Sequence, residues 1–169
     1  MSQKEELTPE EGLMTLPGFP VVLVCVDKNI LTLAAVSFFS FVKPTIMIGI
    51  VPSRYSFELI KKTQDFSFNL PTSELLPAVK YCGSHSGRDY NKFAETGLTP
   101  IPGKKITSFL IEECPVSLEC KVINEINQGG THVWFIGEIV ISHVRQDYSR
   151  NQAILYWPRE YRTVGNIIK

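Results

Sequence analysis

Apolar residues fall into short runs parted by Gly, Pro, Asn and Asp, a rhythm of strands and turns rather than of long helices. Val21 to Val26 is unbroken and valine-rich, which predicts a buried strand. Asp27-Lys28-Asn29 predicts a turn, and Ile30 to Phe38 a second strand that pairs with the first as an antiparallel hairpin. Thr45 to Val51 predicts a third strand. Phe66-Ser67-Phe68-Asn69-Leu70 alternates apolar and polar residues, so it predicts a half-buried strand, ended by Pro71. Two long runs, Pro115 to Ile126 and Thr131 to Val144, flank the turn residues Asn127-Gln128-Gly129-Gly130 and predict a hairpin, with Trp134 and Phe135 in the core rather than against a cofactor.

The predicted helices are short. Thr8-Pro9-Glu10-Glu11 is a capping box with proline at the first helical position, opening a helix to about Thr15. Leu16-Pro17-Gly18-Phe19-Pro20 then breaks the chain. Further helices are expected over Ser56 to Thr63, with Phe57, Leu59 and Ile60 inward, over Ser73 to Val79, and over Arg88 to Glu95 after Gly87; Tyr81 to Ser86 reads as loop. Such a pattern predicts a mainly β protein, an antiparallel barrel of about six or seven strands with a few short helices, in which closing the sheet removes its edges.

Composition narrows the function classes. The 169 residues, 44% hydrophobic and 20% charged, suit one globular domain over residues 1–169. Lys plus Arg equals Asp plus Glu at 17 each, which gives no electrostatic footprint for a nucleic acid or an anionic membrane. No apolar signal core follows Met-Ser-Gln-Lys-Glu-Glu and no apolar run is long enough to span a bilayer, so the expected compartment is the cytoplasm. Cys25, Cys82, Cys114 and Cys120 form no C-x-x-C pair, so neither a metal site nor a thioredoxin-like centre is expected. Cys25 and Cys120 lie in apolar runs and should be buried; Cys82, followed by glycine and polar residues, is expected to be open to solvent, with His85 the only local base for its thiol. No G-x-G-x-x-G follows a strand, which excludes a Rossmann nicotinamide domain.

Candidate chemistry centres on Pro52-Ser53-Arg54-Tyr55-Ser56, a small polar cluster around one arginine at the start of a predicted helix. The guanidinium fork, the hydroxyls of Ser53 and Ser56 and the free amides of a helix start together make a phosphate seat. A capped helix with its arginine in solvent explains the same residues. Ser86, Arg88 and Lys92 would join the same anion if the fold brings them to Arg54; singly, Arg88 and Lys92 read equally as a solvated surface helix. Ala34, Ala35 and Ser37 are small ahead of Phe38, Phe39 and Phe41, which suits either a flat ligand against the backbone or a close-packed sheet.

Three ordered blocks carry a family resemblance. The first runs Asn29-x-x-Thr32-x-Ala34-x-x-Ser37-Phe38, Lys43-Pro44, Pro52-Ser53-Arg54-Tyr55-Ser56-x-Glu58-Leu59-Ile60 and Asp65-Phe66-x-x-Asn69-Leu70-Pro71. The second is Cys82-Gly83-x-x-Ser86-Gly87-Arg88-Asp89-x-x-Lys92-Phe93-x-x-x-Gly97-Leu98, and the third the strand from Gly130 to Glu138. Together they resemble the flavin reductase-like family, the FMN-binding split barrels that include flavoredoxin, over nearly the whole chain. The resemblance implies a Greek-key split β-barrel that forms a homodimer, with FMN as cofactor. It implies cofactor-binding roles for Asn29, Ala35, Ser37, Phe38, Phe39, Ser53, Arg54, Ser56, Ser86, Arg88, Lys92 and His132, the flavin ring lying near Ser37 and Phe38 and the phosphate near Arg54. His132 would border the site of a transient NADH or NADPH, and Pro158 to Gly165 resembles a short closing motif beside the cofactor or the partner subunit. The expected activity is NAD(P)H-dependent flavin reduction with no obligatory acid or base; a flavoredoxin-like carrier serving a redox protein partner and a non-redox flavin-binding module are the alternatives.

Overall fold

Strand and helix formation follow the apolar runs, but the way the runs are joined does not. The computed structural model describes residues 6–157 and 159–165. Helix α1 (Pro9–Met14) opens with the predicted capping box: the Thr8 hydroxyl accepts from the Glu11 amide at 3.3 Å, and Glu11 Oε2 accepts from the Thr8 amide at 3.0 Å. There follow β1 (Phe19–Pro20), β2 (Val22–Val26), β3 (Asn29–Leu33), β4 (Val36–Ser40), β5 (Thr45–Ile50), α2 (Tyr55–Thr63) and β6 (Asp65–Leu70). A 3-10 turn leads into α3 (Leu76–Ser84), then α4 (Lys92–Thr96), the short pair β7 (Pro100–Pro102) and β8 (Phe109–Ile111), the long hairpin β9 (Val116–Ile126) and β10 (Val133–Val144), and β11 (Ile154–Tyr156) and β12 (Tyr161–Thr163).

Seven strands form one antiparallel sheet in the order β3-β2-β6-β9-β10-β5-β4. Its outer strands, β3 and β4, are consecutive in the chain. The single strand expected from Ile30 to Phe38 is therefore broken at Ala34-Ala35: Leu33 pairs with Val22, whereas Val36 pairs with Ile48 at the far end of the sheet. An uninterrupted apolar run carries no mark of where it changes partner, which is why the break is invisible in the pattern. One short link can join opposite edges only if the sheet curls, and the result is a split, half-closed barrel. Two register shifts between β9 and β10, at Ile136/Gly137 and Ile139/Ile141, supply the local bend. Gly137 also lets the curled strands come together, since a Cβ there would lie 2.6 Å from the ring of Phe66.

The concave face buries Val22, Val24, Ile48, Ile50, Phe66 and Phe135. A second cluster, on the other face, packs Leu23, Cys25 and Ile30 against Val79, Phe93 and Ile111 of α3, α4 and β8. Because β6 lies under both clusters it is buried on both faces, not half-buried as its alternation predicts. Its polar face is paid in hydrogen bonds: Ser67 Oγ donates to the Phe109 carbonyl at 2.6 Å and Asn69 Nδ2 to the Leu23 carbonyl at 3.0 Å.

Two buried carboxylates fasten the loop between β7 and β8 to the sheet. Asp65 accepts from Thr107 N at 2.8 Å and Ser108 Oγ at 2.6 Å, while Glu119, fully buried on β9, accepts from the amides of Lys104 at 3.0 Å and Lys105 at 2.6 Å and pairs with His143 Nε2 at 2.8 Å. Burial works to raise the Glu119 pKa, but these amides and His143 outweigh it and hold the carboxyl below the usual carboxylate value.

Two helix boundaries differ from expectation. The segment read as loop from Tyr81 is helical to Ser84, and the helix expected from Arg88 begins at Lys92, where Asn91 Oδ1 caps the Ala94 amide at 3.3 Å. Of the expected closing motif, Pro158 lies outside the described residues; Tyr161–Thr163 forms β12 in a small sheet with β11 and β1. Among the described residues no helix is long and apolar enough to cross a membrane.

Candidate functional site

The chain leaves β5 through a tight turn in which the Arg54 amide donates to the Val51 carbonyl at 3.0 Å, and α2 starts at once. Arg54 itself occupies the cap position, and no side chain accepts from the first helical amides. Serine capping, the bland explanation for this sequence, is therefore not what the helix uses. The Phe57 amide donates to the Arg54 carbonyl at 2.9 Å, whereas the amides of Tyr55 and Ser56 have no acceptor among the described residues and can meet an anion.

A cleft of about 250 Å³ faces this helix start. Ser53, Arg54 and Ser56 line one side; Ser86, Gly87 and Arg88, from the connection after α3, line another; Asn29, Lys92 and His132 also reach it. Residues scattered from position 29 to position 132 are thus brought together. Among the described residues no Asp or Glu lines the cleft. Arg88 forms an ion pair with Glu58, thirty residues away in sequence, and lies 4.9 Å over the Tyr55 ring. Arg54 makes no ion pair among the described residues, leaving its donor fork available.

Lys92 is placed differently from the solvated lysine of a surface helix. It is buried, and its Nζ donates to the carbonyls of Ile30 and Cys82, each at 2.7 Å. Burial pulls its pKa below the ordinary lysine value, Cys82 opposing the change and Arg54 adding to it. Two of its three donors are spent on backbone, so it contributes one donor and a fixed charge.

Four of the expected residues stand apart from the cleft. Ala35 borders it indirectly, its carbonyl accepting from the amide of the lining residue Gly49 at 2.8 Å. Ser37, Phe38 and Phe39 lie further along β4 and are exposed, with Phe38 stacked on Phe41 at 4.8 Å between ring centroids. Trp134 is not a core residue as expected: alternation along β10 buries Phe135 and sets Trp134 half-buried, 3.3 Å from where a Gly49 Cβ would be. Cys82 is not exposed either. It faces inward from α3 at 2% exposure, and burial, partly offset by Lys92, pushes its thiol up to about 11. His85 is not its base: the ring stacks on Tyr81 at 3.9 Å, with Nδ1 3.0 Å from Ser84 Oγ and 3.1 Å from the Tyr81 carbonyl.

Sequence reasoning missed Gly87, whose glycine identity in a loop was a signal for close approach. A Cβ at Gly87 would fall 1.8 Å from Asn29 Oδ1, a buried oxygen with no hydrogen-bond partner among the described residues. Cationic groups, hydroxyls, free helix amides and the lack of lining carboxylates together fit a phosphate-bearing ligand.

A curled split barrel with a cation-lined cleft at the start of α2 defines the class, a split-barrel protein. The chain belongs to the flavin reductase like domain family, whose pattern it matches over residues 14–165. An uncharacterized protein of Archaeoglobus fulgidus is 35% identical over 130 residues, 77% of this chain and 73% of that one. Flavoredoxin of Desulfovibrio vulgaris (Miyazaki F) superposes with a TM-score of 0.89 at 26% identity, covering 99% of this chain and 96% of its own. An FMN-binding protein from Thermus thermophilus, solved with bound 1-cyclohex-2-enone, has the same fold at a TM-score of 0.83 and 20% identity, with 96% of each chain covered.

Proposed function

We propose that the cleft binds FMN and that the protein is an NAD(P)H-dependent flavin reductase. The observation that carries the flavin assignment is the cation-rich, carboxylate-free cleft at an uncapped helix start, in a chain of the flavin reductase like family. Arg54 and Ser53, with the opening amides of α2, hold the phosphate; Arg88 is steadied beside them by Glu58 and Tyr55. Lys92 stays on its two carbonyls and supplies positive charge from behind. His132, also on the cleft, borders the place for the nicotinamide. A bound flavin supplies the redox chemistry, while these residues bind it and set its surroundings.

A second reading, a tightly bound FMN that passes electrons to a protein partner, is favoured by the 26% identity with a flavoredoxin over 99% of the chain. Anaerobic titration of FMN-loaded protein with NADH and with NADPH separates the two. Rapid bleaching by either nicotinamide eliminates the pure carrier. Inertness to both, with normal bleaching by dithionite, eliminates the reductase. Protein that takes up no flavin removes both readings.

A further inference from the structure

A hydroxyl in the cleft is held in one orientation by the side chain behind it. Asn29, at the start of β3, is 7% exposed, and its Nδ2 donates to Ser56 Oγ at 2.8 Å. An amide nitrogen can only donate, so the Ser56 oxygen accepts there and its own proton must point elsewhere. Among the described residues no acceptor takes that proton, although Ser56 is 4% exposed and lines the cleft.

The other end of the amide is equally constrained. Asn29 Oδ1 is buried without a partner among the described residues and packs so closely on Gly87 that any Cβ there would overlap it. Turning the amide over would leave unpaired N–H donors in that place, and orphaned donors are rarer than orphaned carbonyl oxygens. One side chain therefore spans from the first turn of α2 to the connection carrying Ser86 and Arg88, the two walls of the cleft.

We propose that Asn29 is a positioning residue: braced against Gly87, it fixes the Ser56 hydroxyl as a donor into the cleft, making the site selective for an acceptor-only group such as a phosphate. This rests on the reading of the cleft as the phosphate seat of FMN. Selectivity follows because an ionised phosphate accepts from every donor that converges there, whereas the terminal hydroxyl of riboflavin gains less from a site made of donors alone.

The test is a double-variant cycle between Asn29→Leu, which keeps the branched shape of the side chain without its hydrogen-bonding groups, and Ser56→Ala, read as the ratio of riboflavin to FMN dissociation constants by flavin fluorescence. Each single change should lower that ratio by about tenfold or more, the scale of one hydrogen bond to a charged group. The double variant should fall no further than Ser56→Ala alone. Gly87→Ala, which pushes the amide off Ser56, should give the same loss and serves if Asn29→Leu does not fold. Additive losses, or an unchanged ratio accompanied only by a lower Tm, would overturn the proposal. If the wild-type protein does not distinguish the two flavins, the FMN assignment fails on its own. The donor assignment is then read with millimolar inorganic phosphate: it should shift the backbone amide resonances of residues 53–57 in the wild type and far less in Ser56→Ala, and absence of any shift in the wild type overturns it.

Discussion

At the scale of residues, the site divides into groups that face the cleft and groups that hold them. Arg54 is exposed and makes no ion pair among the described residues, so Arg54→Ala should weaken FMN binding by about 2–5 kcal/mol if a bound phosphate desolvates the pair they form. Riboflavin, lacking the phosphate, should bind with little change; isothermal titration with both flavins checks this, and equal losses would assign Arg54 another purpose. His132→Ala should slow reduction by NADH or NADPH, followed by anaerobic stopped-flow absorbance, more than it weakens FMN binding. Cys82 belongs to neither group. With its thiol raised to about 11, only about one molecule in a thousand is thiolate at pH 8, so native alkylation should be slow and should quicken about tenfold per pH unit up to that value. Fast labelling of Cys82 at pH 8, located by mass spectrometry, would contradict the buried thiol. Arg54, Ser53 and Ser86 stand out in the sequence as candidates because polar residues clustered at turns contrast with an apolar background, and the fold brings the three to one cleft. Cys82 was misread because a helix continues past Tyr81 and turns it inward, and the amide of Asn29 gave no sign of its contact with Gly87 because that contact joins distant segments.

At the scale of elements, the hairpin of β9 and β10 and the buried strand β2 were read correctly, since length and turn residues are local properties. The partition of the run after Asn29 into β3 and β4, and the double burial of β6, depend on which strand or helix packs alongside, which local pattern does not encode. The burial of Glu119 likewise depends on a distant segment, the loop at Lys104 and Lys105 that folds over it. Glu119→Gln replaces one accepting oxygen by a donor facing those donors, and should cost about 1.5–3 kcal/mol in urea unfolding at pH 7. The dependence on pH has a definite sign. Because the folded carboxyl titrates below its unfolded value of 4.5, its stabilisation is complete above that value and is lost as pH falls through the lower, folded one. The difference between wild type and variant should therefore shrink on acidification below about pH 4.5. A gap that is constant between pH 7 and pH 3 would mean that charge has no part in it.

At the scale of the whole molecule, β4 ends in an apolar patch, with Phe38 62%, Phe39 55%, Phe41 82% and Val42 fully exposed. We propose that a second copy of the chain covers it in a symmetric dimer, with roughly 2,000 Å² or more buried in total. Light scattering should then report about twice the chain mass of 19.1 kDa, and a species at the single-chain mass with FMN bound would refute the dimer. The strand order also sets a timetable. Five of the seven strands lie within the first seventy residues, yet they form two separate groups, β3-β2-β6 and β5-β4, because β9 and β10 occupy the places between them. A fragment of residues 1–114 should accordingly show no cooperative thermal transition by circular dichroism. During synthesis, the inner sides of β6 and β5 have no strand to pair with until β9 and β10 are made, so the nascent chain carries two open sheet edges over that interval, and it is then that it is exposed to pairing with the wrong neighbour.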